Sequence, residues 1–209
     1  MIERRFCDQC ITRSMGDDSR RVEGYALVFD KMSRDLGGVF ESIDPHALDG
    51  VLAESDVMCW LNHDHSRGAL ARCRGEKVPQ SEPGNSLELE VDDIGLRYAF
   101  DAPNTALGDE LLEGLRRGDI NQSSFAFTVK DDKWERNEDG TARRTILKFD
   151  RLYDVSPVYD PAYYGTDVTL NKRGLEALEE REKKEQEEAE AARKAELEAY
   201  YDELEKLLP

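Results

Sequence analysis

The stretch Ile120–Lys130, INQSSFAFTVK, is the clearest indication of the fold class of this chain, because its large and small residues alternate as they do along a β-strand. The large apolar residues share one face and the small residues share the other: Phe125, Phe127 and Val129 against Ser124, Ala126 and Thr128. Successive side chains of a strand point to opposite faces, so we expect the aromatic face to lie in the core. The small face leaves room beside Ser124 for a second chemical group.

Further short strand-like segments lie on both sides of this stretch and are separated by turn residues. They are Val22–Phe29, Asp56–Asn62, Leu70–Val78, Ser86–Val91, Gly95–Phe100 and Thr141–Val155. The acidic pair Asp92-Asp93 and the run Asn137–Gly140 are typical of hairpin turns. This pattern predicts an α+β, mainly β fold, in which a β-barrel or packed sheets are flanked by helices.

Two helices are predicted between these strands. The first spans Pro45–Glu54, since proline is favoured at the first helical position. The second spans Ala106–Arg117, with Asn104 or Thr105 as its N-cap and Gly118 as its end.

The composition changes near Gly174, which predicts a separate C-terminal region. From residue 175 to 209 the chain has 12 Glu, 1 Asp and 6 Lys or Arg, a balance of 6 − 13 = −7, and no glycine. Strong helix formers dominate this region, so we expect a long charged helix that is solvated or docks on a partner or a second copy. We therefore divide the chain into an N-terminal arm (1–20), a central domain (21–170) and a charged helical tail (171–209).

The overall charge excludes some classes of partner. The net charge is −17 and the isoelectric point is about 4.6, and such an acidic protein repels nucleic acid and anionic lipid. The sequence has neither an export signal at its start nor an apolar run of about 20 residues, so we expect a soluble intracellular protein without a membrane span. In that setting we expect the four cysteines, Cys7, Cys10, Cys59 and Cys73, to be reduced.

Three polar positions are candidates for chemistry. His63 follows an apolar strand, and imidazole is suited to moving protons near neutral pH; continued alternation would place it on the face of Val57. Ser124 is a potential nucleophile that needs an adjacent base. Asp154 lies between apolar residues, where a carboxylate needs a partner such as an imidazole. The alternatives are a loop histidine, an outward polar serine and a turn-capping aspartate.

A metal site is a further alternative. Cys7 and Cys10 have the spacing of a zinc knuckle, and the remaining ligands would come from Cys59, His63, His65 or Cys73. A single pair with this spacing is a weak indication, so we expect no metal and no organic cofactor.

Six short motifs occur in an order that resembles the tailed-phage prohead (capsid-maturation) serine protease family. They are GYALVF (Gly24–Phe29), FESIDPHAL (Phe40–Leu48), NHD (Asn62–Asp64), DDIGL (Asp92–Leu96), GDINQSSFAF (Gly118–Phe127) and LYDVSPVYDPAY (Leu152–Tyr163). The resemblance implies a core fold related to the herpesvirus capsid-maturation protease, a β-barrel surrounded by helices. It also assigns the catalytic base to His63, the nucleophile to Ser124 and the third catalytic position to Asp154, where relatives usually carry Glu.

The same resemblance implies a biological role. Such proteases work in the cytoplasm of the bacterial host, inside the immature phage capsid. They cleave scaffold or major capsid protein segments, and often themselves, and a homodimer is one expected state. The alternative from the charged tail is a non-enzymatic capsid-assembly or scaffold protein, which would have no use for Ser124, His63 and Asp154.

Overall fold

The computed structural model describes residues 1–7, 13–14, 19–75, 85–137, 139–159, 175–176 and 178–196. Within these residues the strands are β1 (Glu3–Cys7), β2 (Arg13–Ser14), β3 (Arg21–Val28), β4 (Val39–Ile43), β5 (Val57–Cys59), β6 (Ala71–Cys73), β7 (Leu87–Val91), β8 (Gly95–Asp101), β9 (Ile120–Arg136) and β10 (Ala142–Tyr159). The helices are α1 (Val51–Glu54), α2 (Ala106–Arg117) and a 3₁₀ turn at His65–Arg67. Residues 178–196 are also helical and are called the tail helix below.

The described strands form two sheets. The larger has the order β1-β9-β10-β5-β6, with β4 also paired to β10, and the smaller has the order β2-β3-β8-β7. β4 and β5 both run parallel to β10, whereas the β1-β9 and β9-β10 pairs are antiparallel. The mainly β, mixed α+β class is therefore confirmed.

The described strands do not close into a barrel, which corrects the predicted barrel core. Both sheets are open in the part of the chain that the structure describes. In the larger sheet, β10 pairs with β4 at one end and with β5 at the other and does not complete a ring. Register shifts along β9 and β10 accompany this change of partner, since bulges bend a strand and increase its twist.

The β9-β10 hairpin is longer than the sequence pattern predicted. β9 continues to Arg136, and its outer half is exposed, so it lacks the apolar alternation that marks a buried strand. The turn at Asn137 and Gly140 is the predicted one, with Gly140 at φ 84°. The inner half carries the core, where the Phe127 and Phe149 rings stack with centroids 4.5 Å apart.

The two predicted helices have different outcomes. α2 has the predicted bounds, with Thr105 accepting a hydrogen bond from the Gly108 amide and Gly118 ending the helix in the left-handed conformation. The first predicted helix is reduced to α1, because Gly50 at φ 71° interrupts it. Asp44 caps the turn that precedes α1 by accepting from the His46 amide at 2.8 Å.

The tail helix begins against the β9-β10 hairpin. Leu178 is buried in a small cluster with Val39 and Ala142, and Arg136 reaches Glu182 at 2.9 Å. Most other described side chains of this helix are exposed. The predicted seam of Leu197, Tyr201, Leu204 and Leu208 lies outside the described residues.

Candidate active site

The three predicted residues come from three separate elements of the larger sheet. Ser124 lies on β9, Asp154 lies on the neighbouring strand β10, and His63 follows β5. In the pairing register Asp154 is opposite Met58 of β5 and Ala126 of β9. The order β9-β10-β5 therefore brings all three segments to one region of the sheet.

The side chains are in contact in the order serine, histidine, aspartate. His63 Nε2 lies 2.6 Å from Ser124 Oγ, and His63 Nδ1 lies 2.9 Å from Asp154 Oδ1. Ser124 is fully buried, and the side chains of His63 and Asp154 are 13% and 5% exposed. A hydroxyl beside an imidazole whose second nitrogen faces a carboxylate has the arrangement of a nucleophile, a base and its orienting acid.

The backbone at His63 differs from the predicted extension of β5. The strand ends at Cys59, and both Asn62 and His63 have positive φ, at 54° and 56°. Non-glycine residues seldom adopt this conformation, and such residues are common at functional sites. The turn is held by the Asn62 amide, which donates to the Pro157 carbonyl at 3.0 Å. His63 therefore reaches Ser124 through a turn rather than through strand alternation.

The contact between Asp154 and His63 is close but not directional. Asp154 Oδ1 is within ion-pair distance of Nδ1, yet it lies off the direction required for a hydrogen bond from the ring N–H. Asp154 Oδ1 instead accepts a hydrogen bond from the Ser156 hydroxyl at 3.0 Å. Asp154 Oδ1 is thus close enough to the ring to stabilise positive charge that develops on the imidazole during proton transfer.

The strand β1 covers the other side of Ser124. Phe6 is opposite Ser124 in the β1-β9 register, and Ser124 Oγ lies 2.9 Å from the Arg5 carbonyl oxygen, to which it can donate. This strand belongs to the segment expected as an N-terminal arm, and the sequence pattern did not predict it. Its five residues are too few and too charged to show a clear alternation.

A buried group of ion pairs holds β1 to the sheet. We call it the charge cluster; it consists of Glu3, Arg5, Glu41, Asp132 and Arg144. Burial raises the pKa of Glu3, but the hydrogen bond and charge of Arg144, together with those of Arg5, outweigh this effect and leave the pKa lowered. The pKa of Arg144 is raised, since its carboxylate partners outweigh the effect of burial. Glu3 and Arg144 are therefore both charged near neutral pH.

The cysteines differ in part from expectation. Cys7 is disulfide-bonded, which corrects the expectation of a reduced thiol there, and Cys10 lies outside the described residues. Cys59 and Cys73 are free and buried. Burial, and secondarily the negative charge of Asp154, raises the pKa of the Cys59 thiol, which keeps it protonated and unreactive.

The described residues contain neither a group of metal-ligand side chains nor a helix that could span a membrane. Among those residues, no three His, Cys, Asp or Glu side chains are grouped as metal ligands would be, and a disulfide leaves Cys7 without a free thiolate. The described helices also lack the length and apolar character that a bilayer span requires.

The chain resembles a family of phage proteases in sequence. The sequence profile described as caudovirus prohead serine protease matches residues 8–181, which are 174 of the 209 residues. No curated protein matches the chain. Among solved structures, the capsid assembly protease of bacteriophage T4 is similar, with 12% identity and a TM-score of 0.44 over 76% of this chain and 99% of that one.

Proposed function

The chain belongs to the caudovirus prohead serine protease family, and from this premise we propose that it cleaves peptide bonds with Ser124 as nucleophile, His63 as base and Asp154 as the group that supports His63. It is a protease of phage head maturation, so capsid or scaffold proteins are its substrates. The observation that supports the mechanism is the 2.6 Å contact between His63 Nε2 and Ser124 Oγ.

The proposed reaction proceeds in two halves. His63 Nε2 takes the hydroxyl proton while Ser124 Oγ attacks the substrate carbonyl carbon. Asp154 stabilises the imidazolium that forms. The proton then passes to the leaving nitrogen, the C–N bond breaks, and an acyl group remains on Ser124. Water repeats these steps, releases the acyl group as a carboxylate and restores the serine.

With β1 in place the site is in a resting state. Ser124 has one proton and two neighbouring acceptors, the Arg5 carbonyl and His63 Nε2. When the hydroxyl donates to Arg5, the contact with His63 requires the proton to be on Nε2, and His63 then cannot act as a base. Displacement or cleavage of β1 would remove this competition.

Self-cleavage follows as part of the proposal. The Arg5 carbonyl is in contact with Ser124 Oγ, so the Arg5–Phe6 peptide bond lies beside the proposed nucleophile. Attack at the Arg5 carbonyl carbon, with the serine proton passed through His63 to the Phe6 nitrogen, would break the Arg5–Phe6 bond, leave Phe6 as the new N-terminus and leave residues 1–5 as an acyl group on Ser124. Water would then release residues 1–5 with a free carboxylate at Arg5 and restore the serine.

The experiment compares the wild type with Ser124→Ala and Ser123→Ala, each co-expressed with the major capsid protein of the same phage. Ser123 is a matched control, because it is also fully buried on β9 but faces Tyr98, with 3.0 Å between the two hydroxyl oxygens. Intact mass spectrometry measures the products. We expect cleaved capsid protein and loss of residues 1–5 with wild type and Ser123→Ala, and a rate at least about 10⁴-fold lower with Ser124→Ala.

Cleavage that persists in Ser124→Ala and disappears in Ser123→Ala would contradict the assigned nucleophile. Uncut N-termini together with cut capsid protein would contradict self-cleavage alone.

Three finer assignments complete the proposal. The relation of the core to the herpesvirus protease fold, the location inside the immature capsid of the bacterial host, and pairing of two copies are carried from the family resemblance. The division into an arm, a protease domain and a tail is likewise a proposal. Size-exclusion chromatography with light scattering tests the pairing of copies.

A further inference from the structure

The charge cluster joins β1 to the rest of the molecule by two crossed bidentate contacts. The β1 residue Arg5 donates to Glu41 through Nε at 2.7 Å and Nη2 at 2.9 Å. The β1 residue Glu3 accepts from Arg144 through Nη1 at 2.6 Å and Nη2 at 2.9 Å. Each charge of the strand is therefore matched by an opposite charge of the sheet, in the planar geometry that makes arginine-carboxylate contacts selective.

The position of these contacts relates them to the proposed nucleophile. Arg5 carries the carbonyl that contacts Ser124 Oγ, so Glu41 binds the side chain of the residue whose peptide group lies at the site. Glu3 is two positions earlier and lies on the same face of the strand. Glu41 and Arg144 thus contact the side chains of two residues on the N-terminal side of that peptide bond, Arg5 and Glu3.

We propose that Glu41 and Arg144 form a specificity site for the substrate strand, selecting an acidic residue two positions before a basic residue, with cleavage after the basic one. The inference rests on the proposed function of Ser124. In this interpretation β1 occupies the site as the chain's own ligand, and a capsid or scaffold segment of the pattern Glu-X-Arg adds to β9 in its place, as extended peptides add to sheet edges.

The order of the two charges matters for selection. A segment of the pattern Arg-X-Glu would bring its arginine to Arg144 and its glutamate to Glu41. Like charges in a buried site are strongly unfavourable, so the site rejects the reversed order as well as accepting the correct one.

Exchange of β1 for a substrate does not leave a charge unpaired. Arg144 Nη1 also contacts Glu41 at 2.9 Å, and its Nε contacts Asp132 at 2.7 Å. On the strand, Arg5 Nη2 contacts Glu3 at 2.8 Å. Both partners therefore keep an internal ion pair on separation, which avoids the large cost of an isolated buried charge.

The test uses the full chain with Glu3→Ala and Arg5→Ala, which removes the strand's own charges and leaves Glu41 and Arg144 unchanged. Three fluorogenic peptides are compared: one containing Glu-Arg-Arg-Phe, the order of residues 3–6, one containing Glu-Arg-Ala-Phe, and one containing Arg-Arg-Glu-Phe. We expect kcat/KM for the first peptide to exceed that of the other two by at least about 10-fold, the effect of one charge-assisted contact.

Glu41→Gln in the same background provides the decisive comparison. It should reduce the ratio of the rate on Glu-Arg-Arg-Phe to the rate on Glu-Arg-Ala-Phe to near unity, because a neutral amide cannot form an ion pair with the substrate arginine. The matched control is Glu88→Gln, which removes an ion pair with Arg21 on the other sheet and should keep the preference. Circular dichroism checks folding, and Arg5→Ala alone replaces the double variant if that variant unfolds.

Binding separates this inference from the proposed function. Fluorescence anisotropy measures the affinity of the three labelled peptides for the Glu3→Ala, Arg5→Ala protein that also carries Ser124→Ala. Selective binding by the Ser124→Ala variant, together with no hydrolysis by the protein that retains Ser124, would support the specificity site and contradict the proposed mechanism. The specificity site would be overturned if the three peptides were hydrolysed or bound equally well. It would also be overturned if none of the three peptides bound.

Discussion

Ser156 connects the two segments that position His63. Its hydroxyl donates to Asp154 Oδ1 at 3.0 Å and accepts from the Trp60 amide at 3.3 Å. Trp60 follows β5 and precedes the turn that carries His63. Because the contact of Asp154 with His63 is itself not directional, Ser156 is the neighbour that orients the carboxylate.

Replacement of Ser156 by alanine should lower kcat about 10-fold or more while KM changes little. The reason is that the Asp154 carboxylate loses its hydrogen-bond donor and its orientation toward His63. The measurement is steady-state hydrolysis of a peptide substrate, with Ser42→Ala as control, since Ser42 is a buried serine with only a 3.5 Å contact to Thr145. Equal kcat values for the two variants would contradict this positioning role.

β1 is attached to the larger sheet by buried ion pairs as well as by backbone pairing with β9. The lowered pKa of Glu3 means that the folded state binds its proton less readily than the unfolded chain does. Its contribution is therefore complete above the ordinary range of a glutamate and is lost as the pH falls through the lowered value. The groups that face Glu3 are Arg5, Arg144 and, through them, Glu41 and Asp132.

Acidification below the ordinary glutamate range should therefore loosen β1 before the rest of the sheet. Hydrogen exchange followed by mass spectrometry would show falling protection factors for residues 3–7 while those of β10 stay high. In Glu3→Gln we expect low protection of β1 at neutral pH and a smaller pH dependence. Unchanged protection of residues 3–7 in wild type across this range would show that Glu3 does not hold β1.

The whole molecule is organised around the β9-β10 hairpin. Its inner half carries Ser124 and Asp154, while its outer half supports the tail helix through Leu178 and Arg136. The family profile ends at residue 181, so about the first turn of the tail helix lies within the matched range and the exposed remainder lies beyond it. The tail helix is thus fixed to the same hairpin that carries Ser124 and Asp154.

Leu178→Ala should detach the tail helix and leave the core folded. The loss of a buried leucine costs about 2–5 kcal/mol, whereas Arg136→Ala removes exposed ion pairs that contribute about 1 kcal/mol or less. Limited proteolysis is expected to cut the tail much faster in Leu178→Ala than in Arg136→Ala, with thermal unfolding of the core little changed. Equal cutting rates would show that the apolar contact does not anchor the helix.

Local sequence patterns predicted the mainly β class, α2 with its caps and the two hairpin turns, all of which the structure contains. These features depend on local chemistry, such as alternation along β9, the Thr105 cap and the freedom of Gly118 to adopt positive φ. The family motifs supplied the roles of Ser124, His63 and Asp154, and alternation alone left other readings of each residue open.

How Ser124, His63 and Asp154 come together depends on contacts between segments that are distant in sequence. The sequence pattern favoured a longer strand through His63, but pairing of the Asn62 amide with the Pro157 carbonyl turns the chain and brings the imidazole to Ser124. β1 and the charge cluster gave no local signal, because a short charged strand is stable only where distant residues such as Glu41 and Arg144 neutralise it. Open sheets replaced the expected barrel for the same reason: strand pairing over long sequence separations depends on partners that periodicity does not identify.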